Sequence, residues 1–492
     1  MTELDMQKMK YELRSLFNSL NIHVLRIFGR EIGVPRATAI PSKDELMQKI
    51  IAVLTGDLTP SKQSKRGAPI KNNFLDPKVK KTVYAIMQKY NGTSPKHATL
   101  AQLFPDLVEN ADMEMLRFNS VEGEDLDSML YRGQYHKIND VARILPMDCR
   151  DSNEIWLLPN AFIPRYDLRE GDTLTFYLQK GDKAFFVREI LDINGSIDFP
   201  LTREIFEQSE VVTPTSAIEF LQKGVTATPL LKYLDWVMPV RKGQRACVLS
   251  KLKAGKTTAL YTMLQALSQV STSITPMALL IEQSPETVHL FRSAIHNENL
   301  IYTTYEDDIE KQVFTAEFIL QRAKRMAESG EQVVLFVDSL NALARAFNQT
   351  DLSIGGKVLD GGMESKTLQY MKKFLGSARC LATGGSITII GALSCETGDP
   401  ADDLLVRELS TVSNYTLCLD DTMAIKRLFP AIDGMRSTSS IGAPSEEVSD
   451  KIDCLLKTNY LAVHGNEGLL TGLKNAENQA QFLRFCEQRI EK

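Results

Sequence analysis

The sequence after residue 230 alternates short apolar runs with segments of helical periodicity. RACVLS precedes KTTALYTMLQALSQV, MALLIEQ precedes SPETVHLFRSAI, VVLFVD precedes SLNALARAFN, and the run SITIIGAL follows. Strands that are apolar throughout are buried on both faces, and helices between them cover those faces of a parallel sheet. The sequence therefore predicts an α/β domain over about residues 198–445.

The stretch SKLKAGKTT, residues 250–258, joins the first of these strands to its helix. Backbone N–H groups at such a turn can bind phosphate, a lysine adds positive charge, and a hydroxyl can bind Mg²⁺. Gly255, Lys256 and Thr257 supply the last positions of G-x-x-x-x-G-K-[ST], whereas Ser250 replaces the first glycine. The context predicts a nucleotide-binding loop, with a plain strand-to-helix turn as the alternative.

A candidate metal ligand follows the strand VVLFVD. Asp338 ends this strand, before SLNALARAFN. Alone, such an aspartate is usually a helix cap, but in phosphate-loop enzymes it orders the Mg²⁺ that the loop hydroxyl also contacts. Thr257 and Asp338 are therefore the predicted Mg²⁺ ligands.

These motifs extend into a wider resemblance. Six segments resemble, in their order and spacing, the bacterial transcription termination factor Rho family. They are LDWVMPVRKGQRACVLSKLKAGKTT, LLIEQSPETV, VVLFVDSLNALARAFN, GGKVLDGGM, KKFLGSARCLATGGSITIIGALSCETGD and IKRLFPAIDGMRS. The resemblance covers about residues 230–440, and IWLLPNAFIPRYDLREGDTL more weakly resembles part of that family's RNA-binding barrel. It implies a RecA-like, homohexameric, RNA-dependent ATPase that uses ATP and Mg²⁺, translocates on single-stranded RNA and dissociates RNA polymerase.

The resemblance also implies roles for individual residues. The implied nucleotide-binding positions are Lys242, Gly243, Gln244, Arg245, Lys253, Ala254, Gly255, Lys256, Thr257 and Thr258. The implied catalytic residues are Lys256, Glu282, Gln283 and Arg427, and the implied RNA contacts of a ring-lining loop are Gly356, Lys357 and Val358. The family's own loop also lacks the first glycine, so Ser250 is no departure.

Several positions depart from the family pattern. Where the family has an acid pair followed by arginine, this chain has Glu282, Gln283 and Ser284. Gln283 then replaces the glutamate that activates the attacking water, and an amide can orient a water but cannot accept its proton. Three further basic positions of the family are occupied here by Pro400, Ser410 and Ser440. Slowed hydrolysis is expected unless Glu282 substitutes.

Two hypotheses follow. The first is an RNA-dependent ATPase and translocase that terminates transcription. The second is a hydrolysis-impaired nucleotide-binding ring protein that acts as a regulatory RNA- or partner-binding module. A rotary ATP synthase subunit or another RecA-like ring would share the phosphate loop but not GGKVLDGG or KRLFPAID.

The N-terminal half predicts smaller units. Their predicted bounds are a helical module over 1–57, a basic linker and then an acidic hinge over 58–128, and a β-barrel of the oligonucleotide-binding or cold-shock kind over 129–197. The linker is either a solvated tether or a nonspecific nucleic-acid contact. The barrel's aromatic residues are either core or base-stacking residues, namely Trp156, Phe162, Tyr166, Phe176, Tyr177, Phe185 and Phe186. NDVARIL, which occupies the place of the family's aromatic-rich strand, offers no stacking ring. A helical segment is predicted over 446–492.

Composition limits the protein class. The net charge of −5 argues against general attraction to nucleic acid, although a local basic face could still bind a phosphate backbone. The seven cysteines form no CxxC pair, which predicts reduced and mostly buried thiols. The charged N-terminus is unlike a signal peptide, and no apolar run is long enough to span a membrane. We therefore predict a cytoplasmic protein.

Overall fold

The computed structural model describes most of the predicted units. The described residues are 130–138, 141–149, 156–180, 184–197, 203–270, 273–440 and 461–490, together with parts of 10–58 and Val83. Apart from Leu58 and Val83, the predicted linker and hinge lie outside the described residues. The basic-linker prediction therefore stays a prediction.

The N-terminal module contains two described helices, α1 (Ile22–Glu31) and α2 (Lys43–Leu54). Their apolar positions form a separate core, in which Leu25 and Phe28 pack with Leu46 and Ile50. Asp44 and Glu45 lie in the first turn of α2, where negative charge favours the helix dipole. The predicted helix pair is confirmed.

Five strands form a closed barrel. They are β1 (Leu130–Ile138), β2 (Val141–Pro146), β3 (Trp156–Leu157), β4 (Thr173–Lys180) and β5 (Phe185–Ile193), in the order β1-β2-β3-β5-β4, with helix α3 (Phe162–Tyr166) after β3. The barrel prediction is confirmed, although β3 has only two residues. The sequence of β1, LYRGQYHKI, has polar residues at positions that the fold buries.

The barrel's aromatic residues are divided between its interior and its surface. Trp156, Phe176 and Tyr177 are buried, which fits the core alternative. Phe186 on β5 is 43% exposed. It pairs with Leu157 of β3, which in turn pairs with Arg143 of β2. Of the rings predicted as core or stacking residues, Phe186 is thus one that remains accessible.

The α/β domain follows the barrel. Its strands are β6 (Val211–Val212), β7 (Arg245–Ser250), β8 (Ile274–Gln283), β9 (Leu300–Thr304), β10 (Gln332–Asp338), β11 (Arg379–Leu381), β12 (Ser386–Ser394), β13 (Tyr415–Leu419) and β14 (Ile432–Ser439). Its helices are α4 (Pro229–Trp236), α5 (Lys256–Val270), α6 (Pro285–Arg292), α7 (Ile309–Glu328), α8 (Leu340–Asn348), α9 (Ser365–Gly376), α10 (Pro400–Ser410) and α11 (Asp421–Ile425). Two C-terminal helices follow, α12 (Leu461–Asn475) and α13 (Gln479–Ile490).

The main sheet has the strand order β14-β13-β7-β12-β10-β8-β9. Outside this order, β11 pairs with β12 and β6 pairs with β11. The pairs from β13 through β7, β12, β10 and β8 to β9 are parallel, and β14 is antiparallel to β13. The carboxyl ends of these parallel strands therefore share one edge, where β7, β10 and β8 place the loops that follow them.

Successive residues of β8 show that both faces of the sheet are covered. Ala278 and Leu280 pack in the core that contains α5 and the C-terminal helices, whereas Leu279 and Ile281 pack in the core that contains α7 and α8. This alternation is the period of a strand. The predicted parallel sheet with helices on both faces is confirmed.

The C-terminal helices are anchored by a buried lysine. Lys232 on α4 donates hydrogen bonds of 3.0 and 2.6 Å to the carbonyl oxygens of Leu473 and Ala476, at the end of α12. A cation suits the negative end of a helix dipole. None of the helices within the described ranges has the length and apolarity required to cross a bilayer. The cytoplasmic location stays a prediction.

Candidate nucleotide-binding site

The loop between β7 and α5 is bent around its own lysine. The Nζ atom of Lys256 lies 3.0 Å from Ser250 Oγ and 3.1 Å from the carbonyl oxygen of Lys251. Lys253 has a φ of 62° and Gly255 a φ of 102°, so the backbone takes left-handed conformations on the way to the helix. For Lys253 this conformation is uncommon, and such residues concentrate at functional sites.

Burial lowers the pKa of Lys256, and the nearby Asp338 opposes that shift. The lysine is thus held inside the loop beside a carboxylate. This partly desolvated ammonium group has few anionic partners, and the oxygens of a polyphosphate would supply more.

Thr257 and Asp338 meet from two different elements. The Thr257 hydroxyl, at the start of α5, donates a 2.6 Å hydrogen bond to Asp338 Oδ2, at the end of β10. Burial raises the pKa of Asp338, while the Thr257 hydrogen bond and Lys256 act in the opposite direction. A hydroxyl and a carboxylate are the oxygen ligands that Mg²⁺ prefers. The two predicted metal ligands are therefore together, and their chemistry fits the ion.

Glu282 and Gln283 end β8 but have different partners. The Gln283 amide nitrogen lies 3.4 Å from the carbonyl oxygen of Asp338, whereas Glu282 Oε2 lies 3.8 Å from Arg345 Nη2. Glu282 has a φ of 55°. Gln283 is therefore next to Asp338 at the end of β10, whereas the Glu282 carboxylate is directed to Arg345 on α8. Ser284 accepts a hydrogen bond from the Thr287 N–H and caps α6.

Arg345 joins Glu282 to a buried polar cluster that the sequence did not reveal. Arg345 Nη1 lies 3.4 Å from Asp402 Oδ1, which also accepts a 2.8 Å hydrogen bond from Asn341. Thr397 donates to the other oxygen of Asp402 at 2.8 Å. These contacts connect the end of β8 to the loop before α10. A signal was available in SLNALARAFN, where Asn341 and Arg345 share one helix face at i, i+4 spacing.

An apolar cavity of about 220 Å³ lies beside the phosphate loop. Its lining residues are Thr228, Leu230, Ala254, Gly255, Thr258, Ala259, Thr262, Leu419, Phe429, Pro430 and Ala431. The Phe429 ring is near enough that a Cβ added at Gly255 would lie 3.6 Å from it. The cavity has the position and the aromatic wall that a nucleobase requires. The predicted loop residues Ala254, Gly255 and Thr258 thus form part of it, whereas Phe429 and Thr228 were missed.

The segment Lys242–Arg245 is not near this loop. Arg245 begins β7 and the phosphate loop follows its last residue, Ser250, so a strand length of about 17 Å separates them. Gly243 N–H donates to Thr388 Oγ1, and Arg245 Nε donates to the Val412 carbonyl oxygen. Lys242, Gly243, Gln244 and Arg245 thus lie at the opposite edge of the sheet from the phosphate loop of their own chain, and their role in nucleotide binding stays a prediction.

Arg427 precedes the cavity-lining Phe429 by two residues in the sequence. It is exposed and has a φ of 58°, another left-handed conformation outside glycine. Lys426 beside it pairs with Glu467 of α12 at 2.6 Å. Arg427 is thus a solvent-exposed side chain close in sequence to the cavity-lining Phe429.

The predicted RNA-binding loop contacts the start of α10. Lys357 N–H donates to Ser365 Oγ at 3.0 Å, and Val358 is 60% exposed. Gly361 has a φ of 73°, and a Cβ there would lie 2.3 Å from the Ala401 nitrogen, so only glycine fits. Gly361, at the end of this loop, is therefore held against the start of α10 at Pro400 and Ala401, whereas Gly356 lies beside Glu364 and Ser365 at the start of α9.

The fold and this site define a RecA-like phosphate-loop protein. The family model described as "ATP synthase alpha/beta family, nucleotide-binding domain" matches residues 231–439. Transcription termination factor Rho of Karelsulcia muelleri is 36% identical over 270 residues, which are 54% of this chain and 70% of that protein. The chain belongs to the transcription termination factor Rho family.

Further relatives give the same result. The Rho protein of Streptobacillus moniliformis is 31% identical over 315 residues, 63% of this chain and 74% of its own. That of Allochromatium vinosum is 34% identical over 292 residues, 58% of this chain and 69% of its own. A solved ATPase from a type III secretion system of pathogenic bacteria covers 64% of this chain and 94% of its own, with a TM-score of 0.45 and 17% identity. The identity to these Rho proteins confirms the resemblance stated from the motifs.

Proposed function

We propose that this protein binds ATP and Mg²⁺ and takes part in transcription termination on nascent single-stranded RNA, as an RNA-dependent ATPase of the Rho kind. The observation that carries the proposal is the convergence of Lys256, Thr257 and Asp338 at one edge of the sheet. The role in transcription termination is proposed from its relatives, which are named transcription termination factor Rho.

In this proposal each site residue has a distinct task. The Lys256 ammonium group and the N–H groups at the start of α5 bind the phosphates. Thr257 and Asp338 hold Mg²⁺, which when bound neutralises phosphate charge. The apolar cavity takes the base, with Phe429 as its aromatic wall. Arg427 reaches toward a nucleotide across a subunit boundary.

The proposal extends to assembly and partners through the family. A homohexamer would place Gly356, Lys357 and Val358 in the ring, where Lys357 supplies the charge that attracts RNA. Pro400 and the exposed Asp399 and Asp403 on the adjoining surface weaken that attraction. RNA polymerase is the proposed downstream partner, and the cytoplasm, where transcripts are made, is the proposed location.

A second candidate function is favoured by the geometry at the end of β8. The Gln283 amide, which cannot accept a proton, is beside Asp338, and the Glu282 carboxylate is directed to Arg345. Glu282 is therefore poorly placed to substitute as general base. Under this candidate the protein binds ATP, hydrolyses it slowly, and regulates termination by binding RNA or another protein.

One experiment separates the two candidates. Binding of a fluorescent ADP and steady-state ATP hydrolysis, with and without cytosine-rich single-stranded RNA, are measured for the wild type and for Lys256→Ala. RNA-stimulated hydrolysis that is lost in Lys256→Ala supports the translocating ATPase. Binding that is lost in Lys256→Ala, with hydrolysis in the wild type that is slow and not stimulated by RNA, supports the regulatory role. Wild-type protein that binds no nucleotide overturns both.

A further inference from the structure

Besides Lys253 and Lys256, the phosphate loop contains Lys251, which pairs with two carboxylates. Lys251 Nζ lies 2.9 Å from Glu396 Oε2 and 3.0 Å from Asp421 Oδ2. These hydrogen bonds, first to Glu396 and then to Asp421, raise the pKa of Lys251. The two carboxylates, by contrast, share this one ammonium group.

The sheet order brings these three residues together. β7 lies between β12 and β13, and all three strands are parallel. Lys251 follows β7, Glu396 follows β12, and Asp421 begins the helix after β13. The Cys395 N–H also donates a 3.0 Å hydrogen bond to the Ser250 carbonyl oxygen, which fixes the backbone of one acid beside the loop.

Taken alone, Lys251, Glu396 and Asp421 carry a net negative charge, and Lys251 is a residue of the phosphate loop. The side chains of Lys251, Glu396 and Asp421 are 39%, 57% and 35% exposed, so they lie at the rim and not in the core. A polyphosphate that enters the loop must approach two carboxylates. Repulsion between like charges at short range opposes that approach unless a cation compensates for it.

Lys251 differs in this respect from Lys256. The Lys256 ammonium group contacts uncharged oxygens of the loop itself, namely Ser250 Oγ and the Lys251 carbonyl, which a phosphate can replace. The Lys251 ammonium group is already paired with two carboxylates of other segments. The charge of Lys251 therefore compensates those two carboxylates and is not free to bind a phosphate in the way that Lys256 is.

We propose that Lys251 is a positioning residue of the nucleotide site, whose charge neutralises Glu396 and Asp421 so that the phosphates of a nucleotide can enter the loop. This inference rests on the nucleotide binding proposed above. It assigns to Lys251 an effect that depends on the two acids, and removal of the acids should make the lysine dispensable.

The test measures the affinity of a fluorescent ADP, and of adenosine by competition, at fixed ionic strength without RNA. Lys251→Met should weaken ADP binding roughly five- to tenfold, the effect of two exposed charge pairs, and leave adenosine within about twofold. The triple variant Lys251→Met, Glu396→Gln, Asp421→Asn should return ADP affinity to within about twofold of the wild type. Lys251→Arg, which keeps the charge, should bind like the wild type.

Two results would overturn the inference. If the triple variant binds ADP as weakly as Lys251→Met, the lysine contacts the phosphates itself. If Lys251→Met binds ADP normally, the acids do not need neutralising. Lys372→Met is the matched control, because Lys372 is 38% exposed and pairs with Glu408 on the α9–α10 surface; it should leave ADP binding unchanged. Wild-type protein that binds neither ligand would instead refute the proposed nucleotide function.

Discussion

Thr257 and Asp338 are joined by a 2.6 Å hydrogen bond between the start of α5 and the end of β10. Thr257→Val removes the hydroxyl at nearly constant volume and leaves the Asp338 carboxylate buried without this partner. We expect a loss of about 1–3 kcal/mol in the free energy of unfolding and loss of the Mg²⁺ dependence of ADP binding. Urea unfolding and ADP titrations with and without Mg²⁺ measure the two effects.

Thr471→Val is the control for the threonine substitution. Thr471 is exposed on α12, and its hydroxyl donates only to the Glu467 carbonyl oxygen of its own helix. It should change neither stability nor ADP binding. Persistent Mg²⁺-dependent binding in Thr257→Val would show that the metal ligands lie elsewhere.

Gln283→Glu tests whether the end of β8 limits hydrolysis. A carboxylate at this position, beside Asp338, could accept the proton of an attacking water. We expect RNA-stimulated hydrolysis to rise roughly tenfold or more, with ADP affinity unchanged. A single-turnover measurement isolates the chemical step from product release.

Glu282→Gln is the complementary test to Gln283→Glu. If the wild-type protein hydrolyses ATP and Glu282→Gln abolishes this without loss of ADP binding, Glu282 serves as the base despite its contact with Arg345. In that case Gln283→Glu should have no effect, and the assignment of the two positions is reversed.

Phe429→Ala tests the base cavity. Removal of the ring takes away the aromatic wall opposite Gly255, and stacking on a base is worth about 1–3 kcal/mol. We expect adenosine and ADP to lose affinity by about tenfold, while pyrophosphate binding is retained. Phe429→Trp should restore adenosine binding. Equal losses for adenosine and pyrophosphate would mean that the substitution disturbs the loop as a whole.

The sequence predicted the loop and its metal ligands because each lies at or just after the end of a strand that its own local pattern identifies. A strand followed directly by a lysine-containing turn and a helix fixes Lys256 and Thr257, and Asp338 lies at the end of the next-but-one strand of the sheet. The carboxyl ends of parallel strands share one edge, so these residues meet without further information.

Other parts of the site depend on distant segments that a local pattern does not reveal. Phe429 and Gly255 are far apart in the sequence but line the same cavity. Lys242–Arg245 is near the phosphate loop in sequence, but the intervening strand separates them. The partners of the buried Gln134 and His136 of β1 lie on α7, far along the chain.

The buried imidazole of His136 predicts a pH effect on stability. Its ring stacks on Phe318 at 4.9 Å and lies 2.8 Å from the Gln134 amide nitrogen, which also donates to the Phe318 carbonyl oxygen. A neutral ring nitrogen can accept from this amide, whereas a protonated one cannot. Burial lowers the pKa of His136 from 6.5 to about 4.

Because the unfolded chain binds this proton more readily, the folded state loses stability as pH falls from about 6.5 to about 4. At pH 5 the loss due to His136 is about 2 kcal/mol. Urea unfolding of a Trp236→Phe protein, followed by Trp156 fluorescence, should show this loss relative to pH 7.5. His136→Gln should reduce the pH dependence, and the exposed His289→Gln should not. An identical pH dependence in His136→Gln would mean that other groups cause it.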